Sequence, residues 1–328
     1  MAHEVYPRMN TLVKLRENSF LTASERNELL RAVSPDGLYK SLTASGFFSF
    51  AQPKSAEDLP TALDEERKGW LDWAREISPS AYLTEIFQLS DIAHNVRVYI
   101  KERTVERDFS ALYEPSKYSK SAIAALLEEG AEKRRPIERA IASVVEDALA
   151  DYAIHQSFLR IDLLVKFFYH KELLRLARAL DDAKIIEIIT AVVDLDILSV
   201  IAQQPDAGDV TPSLLEKAEG GLLGPKLDAL MFASPAEQNA VLSGTPYSEL
   251  WGTVSRQGSR ALFDALADNF VLEKCRIGRL TPFGLLPLFA LVMAKFLEIK
   301  NVRLILESKR MGAEQSEIAK RVRDEYAL

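Results

Sequence analysis

The chain has 328 residues, 48% hydrophobic and 27% charged, the balance of a globular protein and not of a disordered one. That length exceeds one average domain and lets roughly three quarters of the unfolded surface leave water, so no disulfide framework is needed. Lys and Arg total 41 against 48 Asp and Glu, a net charge of -7, which argues against broad nucleic-acid binding and against adhesion to anionic lipid through a basic patch.

The first ten residues, MAHEVYPRMN, contain no apolar run of the kind a secretory signal needs. Helical punctuation then dominates. Thr22 and Glu25 have the spacing of a capping box, in which hydroxyl and carboxylate satisfy free N–H groups of the first turn. Ser34-Pro35, Thr211-Pro212, Ser234-Pro235 and Thr281-Pro282 each set a capping residue before a proline suited to the first helical position. Asp36-Gly37 falls among helix starts and not between alternating apolar runs, so it marks no hairpin. Residues 50–60 read as a loop after a first helical unit, and Trp70 and Trp73, three apart, as packing anchors on one helical stripe. The mixed-sign stretch 128–139, around Gly130 and Pro136, reads as a solvated connection between helices.

A long helix is predicted over Phe158–Leu180. Leu159, Leu163, Phe167, Leu174 and Ala177 recur at three and four residues, and Phe158, Ile161, Leu164 and Phe168 widen the stripe, which implies burial on more than one side. His170 reads as a helix-flank histidine. Residues 185–202 are apolar but interrupted by Glu187, Asp194 and Asp196, and residues 283–294 are short and contain Pro287. A membrane span needs about twenty apolar residues, and a central acid costs about 2.5–3.5 kcal/mol on insertion scales. Both stretches are therefore expected to be core helices of a soluble chain. Residues 203–212 and 219–225, rich in Gly, Pro and Asp, are the clearest breaks. Leu291, Ile299, Val302 and Leu306 show the same helical period for the last long helix. The expected fold class is all-α.

Motifs for chemistry are missing. Gly220 to Lys226 has glycines and a lysine at the wrong spacing for a phosphate loop, and neither G-x-G-x-x-G nor G-x-S-x-G occurs. Cys275 is the single cysteine, which excludes a disulfide framework or thiolate metal site, suits a reducing compartment, and reads as a small buried hydrophobe. His3, His94, His155 and His170 never pair at i, i+4. Asp181 with Asp182, and Asp194 with Asp196, do not share a helix face and read as helix ends and solvated turns. No catalytic residue, cofactor or metal is expected.

One faint repeat remains. The stretch 94–100, containing Asn95, Val96 and Arg97, resembles 300–306, containing Asn301, Val302 and Arg303, while Asp194–Leu198 lies between them without the Asn or the Arg. On a helix the Val points inward and the polar pair faces a loop or a partner. The C-terminal part carries Pro282, Phe283 and Gly284, then Glu298, Asn301, Val302, Arg303, Leu304, Ile305 and Leu306, then Lys309, Gly312 and a terminal tyrosine, Tyr326. This resembles the C-terminal signature of the C subunits of bacterial and archaeal V/A-type rotary ATPases, whose eukaryotic vacuolar homologues are called d. Tyr6, Arg8, Lys14, Arg16 and Glu17, followed by Leu29, Leu30, Leu42 and Thr43, resemble that family's opening unit. Asp91, Asn95 and Arg97 resemble its first internal turn, and Glu219 to Leu222 a Gly-Gly break. The missing Asn at Asp194–Ser199, and Phe47-Phe48 where Tyr is commoner, depart from the pattern.

The resemblance implies three similar helical lobes, over 1–110, 111–210 and 211–328, arranged as a funnel with a central cavity. It implies a non-catalytic central-stalk subunit that couples the shaft of the ATPase head to the membrane proteolipid ring, for proton or sodium transport or for ATP synthesis. The partners would be the shaft subunits and the ring, with no nucleic acid, and the location cytoplasmic, peripheral to the membrane through the ring. Asn95, Arg97, Asn301, Arg303 and Lys309 are the candidate interface or lobe-defining residues, the second role through hydrogen bonds that satisfy helix ends. The alternative is a generic all-α scaffold or adaptor. An α-solenoid of that kind needs a period of roughly 30–45 residues, whereas the similar turns here lie about a hundred apart.

Overall fold

A computed structural model describes residues 2–130, 132, 134–203, 209–257 and 260–326. Among them the regular elements are helices, with no strand. In chain order the helices are α1 (Ala2–Arg16), α2 (Ala23–Arg31), α3 (Pro35–Ala44), α4 (Leu59–Ile77), α5 (Ala81–Val105), α6 (Lys120–Glu128), α7 (Pro136–His155), α8 (Phe158–Ala179) and α9 (Ala183–Ala202). They continue with α10 (Pro212–Leu215), α11 (Leu227–Met231), α12 (Pro235–Leu242), α13 (Ser248–Gln257), α14 (Arg260–Cys275), α15 (Ile277–Leu280), α16 (Leu286–Arg310) and α17 (Gln315–Ala319).

The capping chemistry acts where the sequence puts it. Thr22 accepts the Glu25 N–H at 3.3 Å while the Glu25 carboxylate accepts the Thr22 N–H at 2.8 Å, closing the box that starts α2. Ser34 and Thr211 accept from Gly37 and Leu214 to open α3 and α10, each with proline in the first turn. Glu237 accepts from both the N–H and the hydroxyl of Ser234 before α12. Thr281-Pro282 departs from expectation: it follows α15 as a loop, and α16 begins at Leu286 with Pro287 in its first turn. Two features hold that loop out of the helix. Gly284 sits at φ 91, a left-handed value that fits glycine, and the Asn10 side chain donates to the Pro282 carbonyl at 2.8 Å.

Two compact units divide the chain, and neither is a continuous stretch: one holds Met1–Thr84, Asp182–Ile188 and Thr253–Leu328, the other Glu85–Asp181 and Ile189–Gly252. In the first, α16 is the central helix, packed by α1, α3, α4, α14, α15 and α17. Every residue from Leu286 to Val292 is buried, which is why this stretch is apolar on all sides and not along one stripe. Leu29, Leu38, Leu42 and Leu63 from early in the chain share a core with Val302, Ile305 and Leu306 from its end. Trp70 is fully buried and stands edge to face with Trp73 at 5.4 Å, the packing anchor that their spacing suggests.

In the second unit, α7 and α8 form a hairpin joined by Gln156 in the left-handed region and Ser157, which caps α8. Arg160 locks the pair by gripping Asp151 with two bonds of 2.8 and 2.6 Å. The buried stripe of α8 includes Leu163, Leu164, Phe167 and Phe168, but Phe158 is 41% exposed at its first position and rests on Tyr152. The sequence-predicted breaks fall between helices: α9 ends at Ala202 and α10 starts at Pro212, with 204–208 outside the described residues. Likewise α6 ends at Glu128 and α7 starts at Pro136, with 131 and 133 outside the described residues. Among the described residues no helix is long and apolar enough to cross a membrane.

Candidate functional site

The faint repeat corresponds to one recurring device, a buried polar side chain on a long helix that clasps the backbone of a segment further along the chain. On α5, Asn95 accepts the Glu114 N–H at 2.8 Å and donates to the carbonyls of Glu114 and Tyr118 at 2.9 and 3.0 Å. On α16, Asn301 accepts the Arg323 N–H at 2.9 Å and donates to the Arg323 carbonyl at 3.3 Å. On α9 the same task falls to Asp194. Its Oδ1 accepts from Gly221 and Leu223 at 3.1 and 3.0 Å, and its Oδ2 from the Leu222 N–H and the Tyr247 hydroxyl at 2.9 and 2.8 Å.

The residue type follows from the donors and acceptors offered. An amide carries one acceptor oxygen and a donor nitrogen, so it can pair with both the N–H and C=O of one residue; a carboxylate only accepts, so it suits a loop that turns successive N–H groups inward. The loop must come very close. A Cβ on Gly221 would lie 2.9 Å from both Asp194 oxygens and 2.4 Å from Thr190 Cγ2, so only glycine fits. Burial pushes the Asp194 carboxyl above its ordinary range, while its four donors pull the other way. Asp194 is therefore a buried clasp and not the solvated carboxylate that its spacing suggests.

Two residues beyond each clasp lies a charged side chain that reaches another helix. Arg97 is 3.3 Å from Asp162 of α8, which also takes Lys101 at 2.7 Å. Arg303 pairs with Asp64 of α4. Between them Asp196 reverses the polarity: its oxygens meet Lys166 and His170 of α8, both at 2.7 Å. Burial raises the Asp196 carboxyl, but His170 and Lys166 outweigh it and hold it well below the usual carboxylate range. His170 is fully buried, which corrects its reading as a helix-flank side chain. Asp181 and Asp182 match expectation as helix ends: Asp181 adopts the left-handed region just after α8, and Asp182 accepts the N–H groups of Lys184 and Ile185 at the start of α9.

Of the five residues singled out in the sequence, Asn95 and Asn301 are buried in these clasps. Lys309 donates to the carbonyls of Leu30 and Ala32, where α2 ends, and burial lowers its pKa. Arg97 and Arg303 keep 36% and 42% of their side chains exposed, so both can also reach outward while paired. Sequence reasoning missed Asp194 and also Glu66, a fully buried carboxylate that accepts from the N–H groups of Ser49, Phe50 and Ala51 and from the Trp70 indole. A signal was present: Glu66 sits four residues before Trp70 on the apolar stripe of α4, where an acid needs donors.

Among the described residues no group of three or more His, Cys, Asp or Glu is placed to hold a metal ion. Cys275 is buried, and burial pushes its thiol up to about 12, so it is protonated at neutral pH.

The sequence profile of the ATP synthase (C/AC39) subunit family matches residues 9–321, a span that contains Asn95, Asp194 and Asn301. The chain belongs to this family. The C subunit of the V-type sodium ATPase of Enterococcus hirae is 24% identical over 338 aligned positions, which cover 98% of this chain and 99% of that protein. The alignment thus carries the C/AC39 resemblance from the C-terminal signature across the whole length. As a member of the C/AC39 family the chain has other subunits of a rotary ATPase as its partners.

Proposed function

We propose that the chain is a non-catalytic central-stalk subunit that couples the rotating shaft of the ATPase head to the proteolipid ring in the membrane. The observation that carries this reading is the family match over residues 9–321, joined to end-to-end alignment with the C subunit of a V-type ATPase. The physics supports it: a torque coupling must be stiff, and interiors packed as densely as organic crystals transmit strain. Clasps at Asn95, Asp194 and Asn301 fasten each long helix to a segment further along the chain, which stiffens the body without supplying any reactive group.

In this reading each of α5, α9 and α16 is the spine of one lobe, and the three lobes, approximately 1–110, 111–210 and 211–328, form a funnel whose cavity receives the shaft. Asn95 and Asn301 define the lobes, Lys309 ties the third lobe to the end of α2 in the first, and Arg97 and Arg303 are the residues offered to partners. The chain works on the cytoplasmic side, peripheral to the membrane through the ring, in ion transport or ATP synthesis, with no cofactor or metal of its own. The test mixes the purified chain with the shaft subunits of the rotary ATPase from the same genome and, separately, with the solubilised ring. Saturable one-to-one binding with no nucleotide turnover by the chain alone is expected. A folded chain that binds neither the shaft nor the ring would overturn the coupling role.

A further inference from the structure

The second unit has an open cleft of about 740 Å³ where α5 ends and α6 begins. Glu106, left-handed at φ 52, stops α5, and the cleft is lined by Tyr99, Arg103, Arg107, Tyr113 and Lys120. Its charges are unevenly used. Glu102 in the wall is saturated, accepting from the Phe109 N–H, the Tyr113 hydroxyl and Lys120 at 3.2, 2.9 and 2.6 Å. Among the described residues neither Arg103 nor Arg107 has an ion pair, and both are exposed. Each guanidinium carries five N–H donors in a fork that fits a carboxylate edge. Glu106 is the one lining carboxylate, among the described residues, that accepts from no neighbour. On a chain of net charge -7, this is a local excess of donors and positive charge with aromatic walls.

We propose that this cleft receives a carboxylate-rich segment of a partner protein, gripped by Arg103 and Arg107. The cleft is open along its mouth, whereas small-molecule sites enclose most of their ligand, so a segment of a larger chain is the fitting occupant. Forked guanidinium–carboxylate bonds would set its register, and the Tyr99 and Tyr113 rings would pack its apolar side chains. The inference goes beyond the coupling role and does not depend on it.

The test is an anisotropy titration of the full chain with a labelled short glutamate-rich peptide, beside its glutamine counterpart, at low and high salt. Saturable binding of the glutamate peptide is expected, weaker in high salt and weaker for the glutamine form. Exchanging both arginines, R103E with R107E, should reduce affinity by at least about tenfold. R103K with R107K keeps the charge but loses the fork, and should weaken binding several-fold. Reversing two exposed cations elsewhere, R31E with K40E, should leave affinity within about twofold. Circular dichroism of every variant checks the fold. The proposal fails if the peptide does not bind, if R103E with R107E binds as well as the parent, or if the off-site reversal weakens binding as much. It also fails if inorganic phosphate or ATP displaces the peptide at lower concentration than the free peptide does. The assay contains neither shaft nor ring, so its failure leaves the coupling test untouched.

Discussion

At the scale of single residues, the clasps explain why similar helices carry different polar groups. Asn95 faces two carbonyls and one N–H, whereas Asp194 faces three N–H groups and a hydroxyl. Exchanging the types should therefore fail in both directions. Asp194→Asn turns an amide NH₂ toward donors, and Asn95→Asp turns a second oxygen toward carbonyls; each leaves a buried group unsatisfied, at a cost of about 1–3 kcal/mol. Hydrogen exchange reads this locally. The amides of Gly221, Leu222 and Leu223 should lose roughly tenfold or more of their protection in Asp194→Asn, with little change at Glu114; unchanged protection at Gly221 would show that the clasp does not hold the loop.

At the scale of elements, α2 shows how a short helix is held from both ends. Its nine residues fall below the length at which an isolated helix is stable. Thr22 and Glu25 satisfy its first turn, and Lys309, far away in sequence, closes its last carbonyls. Thr22→Ala should destabilise α2 by about 1 kcal/mol, and Lys309→Met by about 1–2 kcal/mol through the lost charge-assisted bonds. Arg310→Ala, one residue on and exposed, should stay within about 0.5 kcal/mol. Chemical denaturation followed by exchange at the α2 amides separates the three variants. The first cap is legible as a four-residue pattern; the second is not, because no local rule links Lys309 to Leu30.

At the scale of the whole molecule, paired carboxylates set the response to acid. The Arg160 grip lowers the pKa of Asp151, Arg135 that of Glu138, and Lys274 that of Glu187, while Asp196 is held low by His170 and Lys166. A carboxyl whose folded value is depressed contributes stability above its unfolded value, about 4 for Asp and Glu, and that contribution is lost as pH falls through the folded value. Asp194, raised by burial, has the opposite sign and stands against several. Stability should thus hold near neutrality and fall progressively once the pH drops below about 4. Denaturant midpoints measured across that range test the sign, and a midpoint that rose on acidification would contradict it.

By itself the sequence determined the fold class, because caps, prolines and apolar periods are local signals that act within one or two turns. It also determined the family, because several short motifs keep their order along the whole chain. Only the tertiary structure decided what the repeated Asn, Asp and Arg do, since the clasps join residues separated by 19 to 53 positions. It likewise decided that the ends of the chain share one core around α16. The physical reason is the same in each case. A buried polar side chain is defined by the donors and acceptors that surround it, and those come from segments whose arrival no local pattern announces.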